Sequence, residues 1–184
     1  MSDTSEAMRS KMQEKGVMES AIKAFERARS LVEKGGKGEL SETEIVQAAG
    51  VTDYEELGRQ TSMDPALLAQ TVVIKLNGGL GTGMGLEKVK SLLEVRPGVA
   101  FLDLMSRQIL SLRKETGSNV RFLLMNSQAS SRDTQEYLAT SVPEIGDPAQ
   151  LELMQNWVPK LRQDDLSPVS FSANTDLEWC PPGH

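Results

Sequence analysis

The stretch from Val72 to Ser91, VVIKLNGGLGTGMGLEKVKS, constrains this chain more than any other. Val72, Val73, Ile74 and Leu76 form a short apolar run, rich in β-branched residues, of the kind found in strands buried on both faces. Gly78, Gly79, Gly81 and Gly83 then crowd one turn around Thr82. One or two glycines often mark only a tight strand-to-helix turn. A set this dense, directly after a strand, lets backbone N–H groups approach an anion with no Cβ in the way. A phosphate-binding loop is therefore expected here.

The residues after the loop continue the pattern. KSLLEV reads as a short strand edge. Residues 98–117 read as a helix with Phe101, Leu104, Met105, Gln108, Ile109 and Leu112 on its face and Gly117 as its stop. VRFLLMNS reads as a second buried strand. SSRDTQEYLATS reads as a helix capped by Ser130 or Ser131, and DPAQLELMQN as another with Pro148 in its first turn. Past WVPKL the pattern weakens into a proline–glycine loop. Strand, glycine loop, helix, strand, helix opens an α/β fold with a parallel sheet.

The first seventy residues look different. One helix is expected from about Glu6 to Lys34, with Ala21, Phe25, Ala28 and Val32 on one face and Met8 and Met12 further up. Gly35 and Gly36 stop it. Ser41 and Glu44 form a capping box, DYEELGRQ reads as a short helical piece, and Asp64 caps another that starts at Pro65. The expected organisation is a helical segment over 1–70 and an α/β part over 71–184. Two clear strands are few for such a sheet, so the chain reads as cut short.

A length of 184 residues favours one domain, with two small ones as the alternative. The net charge of −6 argues against nucleic acid as the main partner, because phosphate-backbone binding needs a basic surface. A nucleotide needs only a local loop and a lysine or two. Cys180 is the single cysteine, so no intrachain disulfide is possible, and it reads as incidental rather than nucleophilic. The charged N-terminus is unlike a signal peptide and no apolar run approaches membrane-spanning length, so a cytoplasmic protein with no membrane partner is expected. Oligomeric state is not legible.

Two common phosphate loops fail on spacing. Lys90-Ser91 could close a Walker A loop, but Val89 stands where its second glycine belongs. The dinucleotide fingerprint puts Met84 at its third glycine. No acidic residue caps a second strand about twenty residues on, which also counts against an NAD-dependent oxidoreductase.

A third pattern fits. LNGGLGTGMGLEKVKS resembles the signature loop of UTP-dependent sugar-1-phosphate uridylyltransferases, L-x-G-G-x-G-T-x-x-G with a lysine further on. Within that group it is most similar to the UTP–glucose-1-phosphate uridylyltransferase family. FLDLMSRQI, LLMNS, MQNWVPKL and WCPPGH resemble later segments of the same family, in the same order. The family has Gly-Pro-Lys where this chain has Lys88-Val89-Lys90, so a glycine and a proline are lost beside a lysine that keeps its place.

The resemblance implies an incomplete doubly wound sheet, Rossmann-like and of the nucleotide-diphospho-sugar transferase type, behind the helical segment. It also implies a reaction: a glucose-1-phosphate oxygen attacks the α-phosphorus of UTP in line, and pyrophosphate leaves. That chemistry needs positioning and charge neutralisation more than a covalent nucleophile. Leu76, Asn77, Gly78, Gly79, Leu80, Gly81 and Thr82 would line the nucleotide, and Lys90 would act catalytically at the phosphates. Lys88 reads as a surface lysine.

Met125 reads as a core methionine at a strand end, and the resemblance lays it against the base. Gln155 alone reads as a solvent-facing helix glutamine. The resemblance makes it the reader of uracil, whose imide edge a carboxamide matches by donating and accepting. Gly183 and His184 would contact the sugar phosphate or nucleotide. Mg²⁺ would bridge phosphate oxygens, but no metal ligand is identifiable, Asp103, Asp133 and Asp176 having no ligand spacing.

The chain is expected to be a fragment with little activity of its own. A non-catalytic nucleotide-binding module is the alternative. UDP-N-acetylhexosamine or broad-range UDP-sugar pyrophosphorylase chemistry also stays open.

Overall fold

The computed structural model describes residues 3–56, 64–79 and 89–182. Leu80, Gly81, Thr82, Lys88, Gly183 and His184, and the second half of the DYEELGRQ piece, lie outside the described residues. In chain order the helices are α1 (Asp3–Glu14), α2 (Glu19–Glu33), α3 (Pro65–Ala69), α4 (Phe101–Thr116) and α5 (Gln128–Ser141). The strands are β1 (Val72–Asn77), β2 (Glu94–Arg96), β3 (Val99–Ala100), β4 (Arg121–Asn126), β5 (Glu152–Met154), β6 (Val158–Pro159) and β7 (Trp179–Cys180). They form two compact units, one of residues 1–60 with 156–184 and one of residues 61–155.

In the first unit the expected single helix is two. Gly16 sits at φ +77°, where a side chain is strained, and the chain turns between α1 and α2. The buried face of α2 is also rotated from the expected one: Ile22 and Arg29 are buried, while Val32 is exposed. Met12, Ile22 and Trp179 make the core, with Val17, Phe25 and Trp157 packed on it. Arg29 tolerates burial because its guanidinium donates to Ser5 and pairs with Glu33. β6 and β7 pair antiparallel. The capping box at Ser41 and Glu44 forms, but it opens only a 3₁₀ turn over Glu42–Glu44.

The second unit carries a parallel sheet in the order β1-β4-β5, with α4 and α5 in the crossovers. The α/β expectation holds in this unit, and a helical segment precedes it. Leu102 and Ile109 of α4, Leu138 of α5, the following Val142, and Phe122 and Leu124 of β4 form one core, with Val73 of β1 against it. The α4 face is therefore rotated from the expected one, and Phe101 stays half exposed. Gly117 ends α4 at φ +67°, as its place in the sequence implies. Asp103 accepts from the Ala100 N–H and from the Tyr137 hydroxyl, pinning the start of α4 to α5.

Three local expectations change. Among the described residues β1 ends the sheet and is covered on one face: Val73 packs against the core with the helices, while Val72, Ile74 and Leu76 on the other face are 46–51% exposed, so the strand is not buried on both faces. KSLLEV divides into a 3₁₀ turn over Lys90–Leu92 and the start of β2. DPAQLELMQN is a 3₁₀ turn over Pro148–Leu151 followed by β5, because pairing with β4 draws Glu152–Met154 into the sheet. The helix cap also moves forward: Ser127, not Ser130 or Ser131, caps α5, and its N–H donates to Ser130 Oγ at 2.9 Å.

Candidate active site

Parallel strands end together, and their carboxyl ends are where ligands sit in open α/β sheets. Here the register sets Leu76 beside Met125 and Asn77 beside Asn126, with Met125 beside Leu153 and Asn126 beside Met154. Gln155 extends this ladder, its N–H donating to the Asn126 carbonyl at 2.9 Å. Asn77, Gly78, Met125 and Gln155, read from distant parts of the sequence, thus meet along one edge.

Gln155 is 8% exposed, and its Oε1 has no hydrogen-bond partner among the described residues. A Cβ on Gly78 would lie 1.9 Å from that oxygen. The missing side chain is what lets the Gln155 carboxamide lie over the turn. The helix-surface reading of Gln155 is thus replaced by a buried one. Its backbone extends the ladder beyond β5, and its carboxamide lies over Gly78.

Lys90 is joined to the same turn. Its N–H donates to the Gly79 carbonyl at 3.3 Å, and its stem passes 4.0 Å from where a Gly79 Cβ would lie. Its side chain is exposed. Val89 is fully buried at φ −58°, inside the range a proline ring imposes. The backbone angle at 89 is therefore one that a proline could also adopt.

The resemblance groups Asn77 and Leu76 with the nucleotide. The Asn77 side chain is engaged internally: Nδ2 donates to Asn126 Oδ1 at 2.7 Å and Thr134 Oγ1 at 2.9 Å, and Oδ1 accepts from Ser91 Oγ. Leu76 is half exposed at the sheet edge. Met125 is half buried beside it.

Sequence reasoning missed Asn126, Ser127 and Glu152. Ser127 Oγ donates to the Gly78 carbonyl at 2.8 Å, tying the end of β4 to the glycine turn. Asn126 Nδ2 donates to Glu152 Oε1 at 2.7 Å, and Gln135 Nε2 to Glu152 Oε2 at 3.0 Å. Burial pushes the Glu152 pKa up, but hydrogen bonds from Asn126, Ser131 and Gln135 outweigh it and hold the group below its ordinary value. The available signal was Asn-Ser at the end of an apolar strand, polar residues where a buried sheet ends.

Among the described residues no three His, Cys, Asp or Glu side chains converge to hold a metal ion. No described helix is long and apolar enough to cross a membrane.

The family model for UTP–glucose-1-phosphate uridylyltransferase matches residues 18–184. The uridylyltransferase of that name from Musa acuminata is 38% identical over 167 residues, covering 84% of this chain and 35% of its own length. The one from Saccharomyces cerevisiae is 37% identical, covering 85% and 31%. Among solved structures, a mutant UDP-glucose pyrophosphorylase from Leishmania major in complex with UDP-glucose superposes on the whole chain with TM-score 0.89 at 39% identity. UDP-glucose phosphorylase from Trypanosoma brucei does so with TM-score 0.83 at 41%. The chain spans 38% and 39% of those two proteins.

Proposed function

The chain belongs to the UTP–glucose-1-phosphate uridylyltransferase family, and from that premise we propose that it carries the UTP-holding part of a uridylyltransferase site. The observation that carries this reading is Gln155: a buried carboxamide at the strand-end edge, packed on a glycine turn, with an acceptor oxygen lacking a partner among the described residues. A buried acceptor without a partner is costly, and a ligand N–H relieves it. The N3–H of uracil is such a donor, while the neighbouring uracil carbonyls accept from the carboxamide N–H. Cytosine presents an acceptor at N3 and forces the carboxamide to turn over.

The backbone of Gly78 and Gly79 would then border the ribose and phosphates, with Met125 against the base. The Lys90 ammonium would offset the charge that moves as the bond from the α-phosphorus to the bridging oxygen breaks. The sugar-phosphate oxygen forms the new bond to the α-phosphorus, and the electron pair leaves with pyrophosphate. Glucose-1-phosphate as the acceptor and UDP-glucose as the product follow from the family. Gly183 and His184 are assigned to the sugar phosphate on the same ground. Mg²⁺ would neutralise the phosphates, but the described residues supply no carboxylate set for it, and no step above runs through the ion.

Titration calorimetry of the 184-residue chain with UTP, CTP and GTP tests the reading. UTP is expected to bind about tenfold or more tightly than CTP, the scale of one mismatched buried hydrogen bond. Equal affinities for all three would remove Gln155 as the base reader.

A further inference from the structure

We propose that Glu152 is a positioning residue whose carboxylate sets the direction of a hydrogen-bond relay through Asn126 and Asn77 to Ser91, and thereby holds Lys90 in register with the glycine turn. The proposal rests on the reading of that turn as the UTP loop, and it deepens that reading.

The relay crosses all three strands of the sheet. Gln135 Nε2 and Asn126 Nδ2 both donate to Glu152. Asn126 Oδ1 accepts from Asn77 Nδ2, and Asn77 Oδ1 accepts from Ser91 Oγ. Ser91 follows Lys90 in the short turn over Lys90–Leu92, whose first N–H is bonded to Gly79. Asn77, Asn126 and Thr134 are buried, so water cannot replace a lost partner cheaply.

Most members of this relay have no inherent sense. A carboxamide can turn over, exchanging donor for acceptor, and the hydroxyls of Ser91 and Thr134 can each donate or accept. Gln135 can also present either end. Only an ionised carboxylate is acceptor-only. Facing Glu152, Asn126 must present Nδ2, which leaves Oδ1 for Asn77. Asn77 must then present Nδ2, which leaves its Oδ1 for the Ser91 hydroxyl. One charge on β5 thus fixes the orientation of two carboxamides and of a serine hydroxyl beside Lys90.

Glutamine at 152 still offers Asn126 an acceptor oxygen, and Gln135 can turn to meet the new N–H₂. Alanine offers nothing, and both asparagines lose their preferred sense. The test therefore compares Glu152→Gln, Glu152→Ala and Ser91→Ala in the 184-residue chain. NMR of the ligand-free protein reads the side-chain amide signals of Asn77 and Asn126 and the exchange rate of the Lys90 backbone N–H. Calorimetry reads UTP affinity.

In Glu152→Ala both asparagine signals should shift or broaden, the Lys90 N–H should exchange about tenfold faster or more, and UTP should bind about tenfold more weakly. Glu152→Gln should stay within about threefold on both measures. Ser91→Ala should affect Lys90 and leave Asn126 unchanged, and adding Glu152→Ala to it should weaken UTP binding by less than Glu152→Ala does alone. Ser91→Ala decides the matter even if Glu152→Ala fails to fold, since an unchanged Lys90 exchange rate in Ser91→Ala overturns the proposal. So does an unchanged Asn77 signal in a folded Glu152→Ala. If the parent chain does not bind UTP, the nucleotide reading fails while the exchange data still decide the relay.

Discussion

Gly78 has no side chain where one would meet Gln155: its Cβ would lie 1.9 Å from the Gln155 Oε1. The neighbour is the far end of a side chain, not backbone, so a methyl group here would displace the carboxamide and leave the sheet in place. Gly78→Ala should thus cost only about 1–2 kcal/mol in denaturant unfolding. Its effect on UTP binding should be larger, with about tenfold loss or more by calorimetry. A stability loss with intact UTP affinity would separate Gly78 from the site.

Gln155→Leu should act with opposite signs on stability and binding. It removes a buried acceptor without a partner among the described residues, so unfolding free energy should hold or rise by about 1 kcal/mol. Discrimination of UTP against CTP should fall to within about threefold. Retained discrimination in this variant would assign the base to another residue.

Lys90→Ala removes an exposed side chain, so the melting temperature should barely move, a change within about 0.5 kcal/mol. UTP affinity should fall about tenfold, and its dependence on salt should become shallower. Uridine, which lacks phosphate, should bind the variant and the parent equally. Equal losses for UTP and uridine would mean that Lys90 supports the loop and not the phosphates.

Acid should weaken the unit formed by residues 1–60 and 156–184 through Glu178. The Lys11 ammonium, and next the Phe171 N–H, hold the Glu178 carboxyl below its ordinary range. A depressed folded pKa means that the unfolded chain takes up the proton first. This contribution is therefore complete above the ordinary glutamate pKa and is lost as pH falls through the folded value. Glu178→Gln should flatten the acid limb of stability below about pH 4.5, measured by urea midpoints across pH. An unchanged acid limb would place the sensitivity in other carboxylates.

How far the sequence reaches depends on how local each cause is. β1, β4 and the Gly117 stop follow from short patterns, and all three are present. The helical pattern runs straight through Gly16, but its φ of +77° breaks the helix there. Glu152–Met154 carries good helix formers and becomes a strand only because Asn126 and its neighbours offer a ladder. The link between Asn77 and Asn126 joins residues 49 apart and leaves no periodic trace. Only the resemblance places Gln155 in the site, since its strand-end position depends on that same long-range pairing.

The placement of the aromatic side chains has an optical consequence. Both tryptophans, Trp157 and Trp179, belong to the core of residues 1–60 and 156–184, with the Lys15 ammonium 5.0 Å and 5.6 Å from their ring centres. Tyr137, bonded to Asp103, belongs to the sheet unit. Tryptophan emission thus comes from the unit of residues 1–60 and 156–184, while Gly78, Lys90 and Gln155 lie in the sheet unit with Tyr137. A melt followed by tryptophan emission therefore watches the unit of residues 1–60 and 156–184 lose its structure without a signal from the sheet.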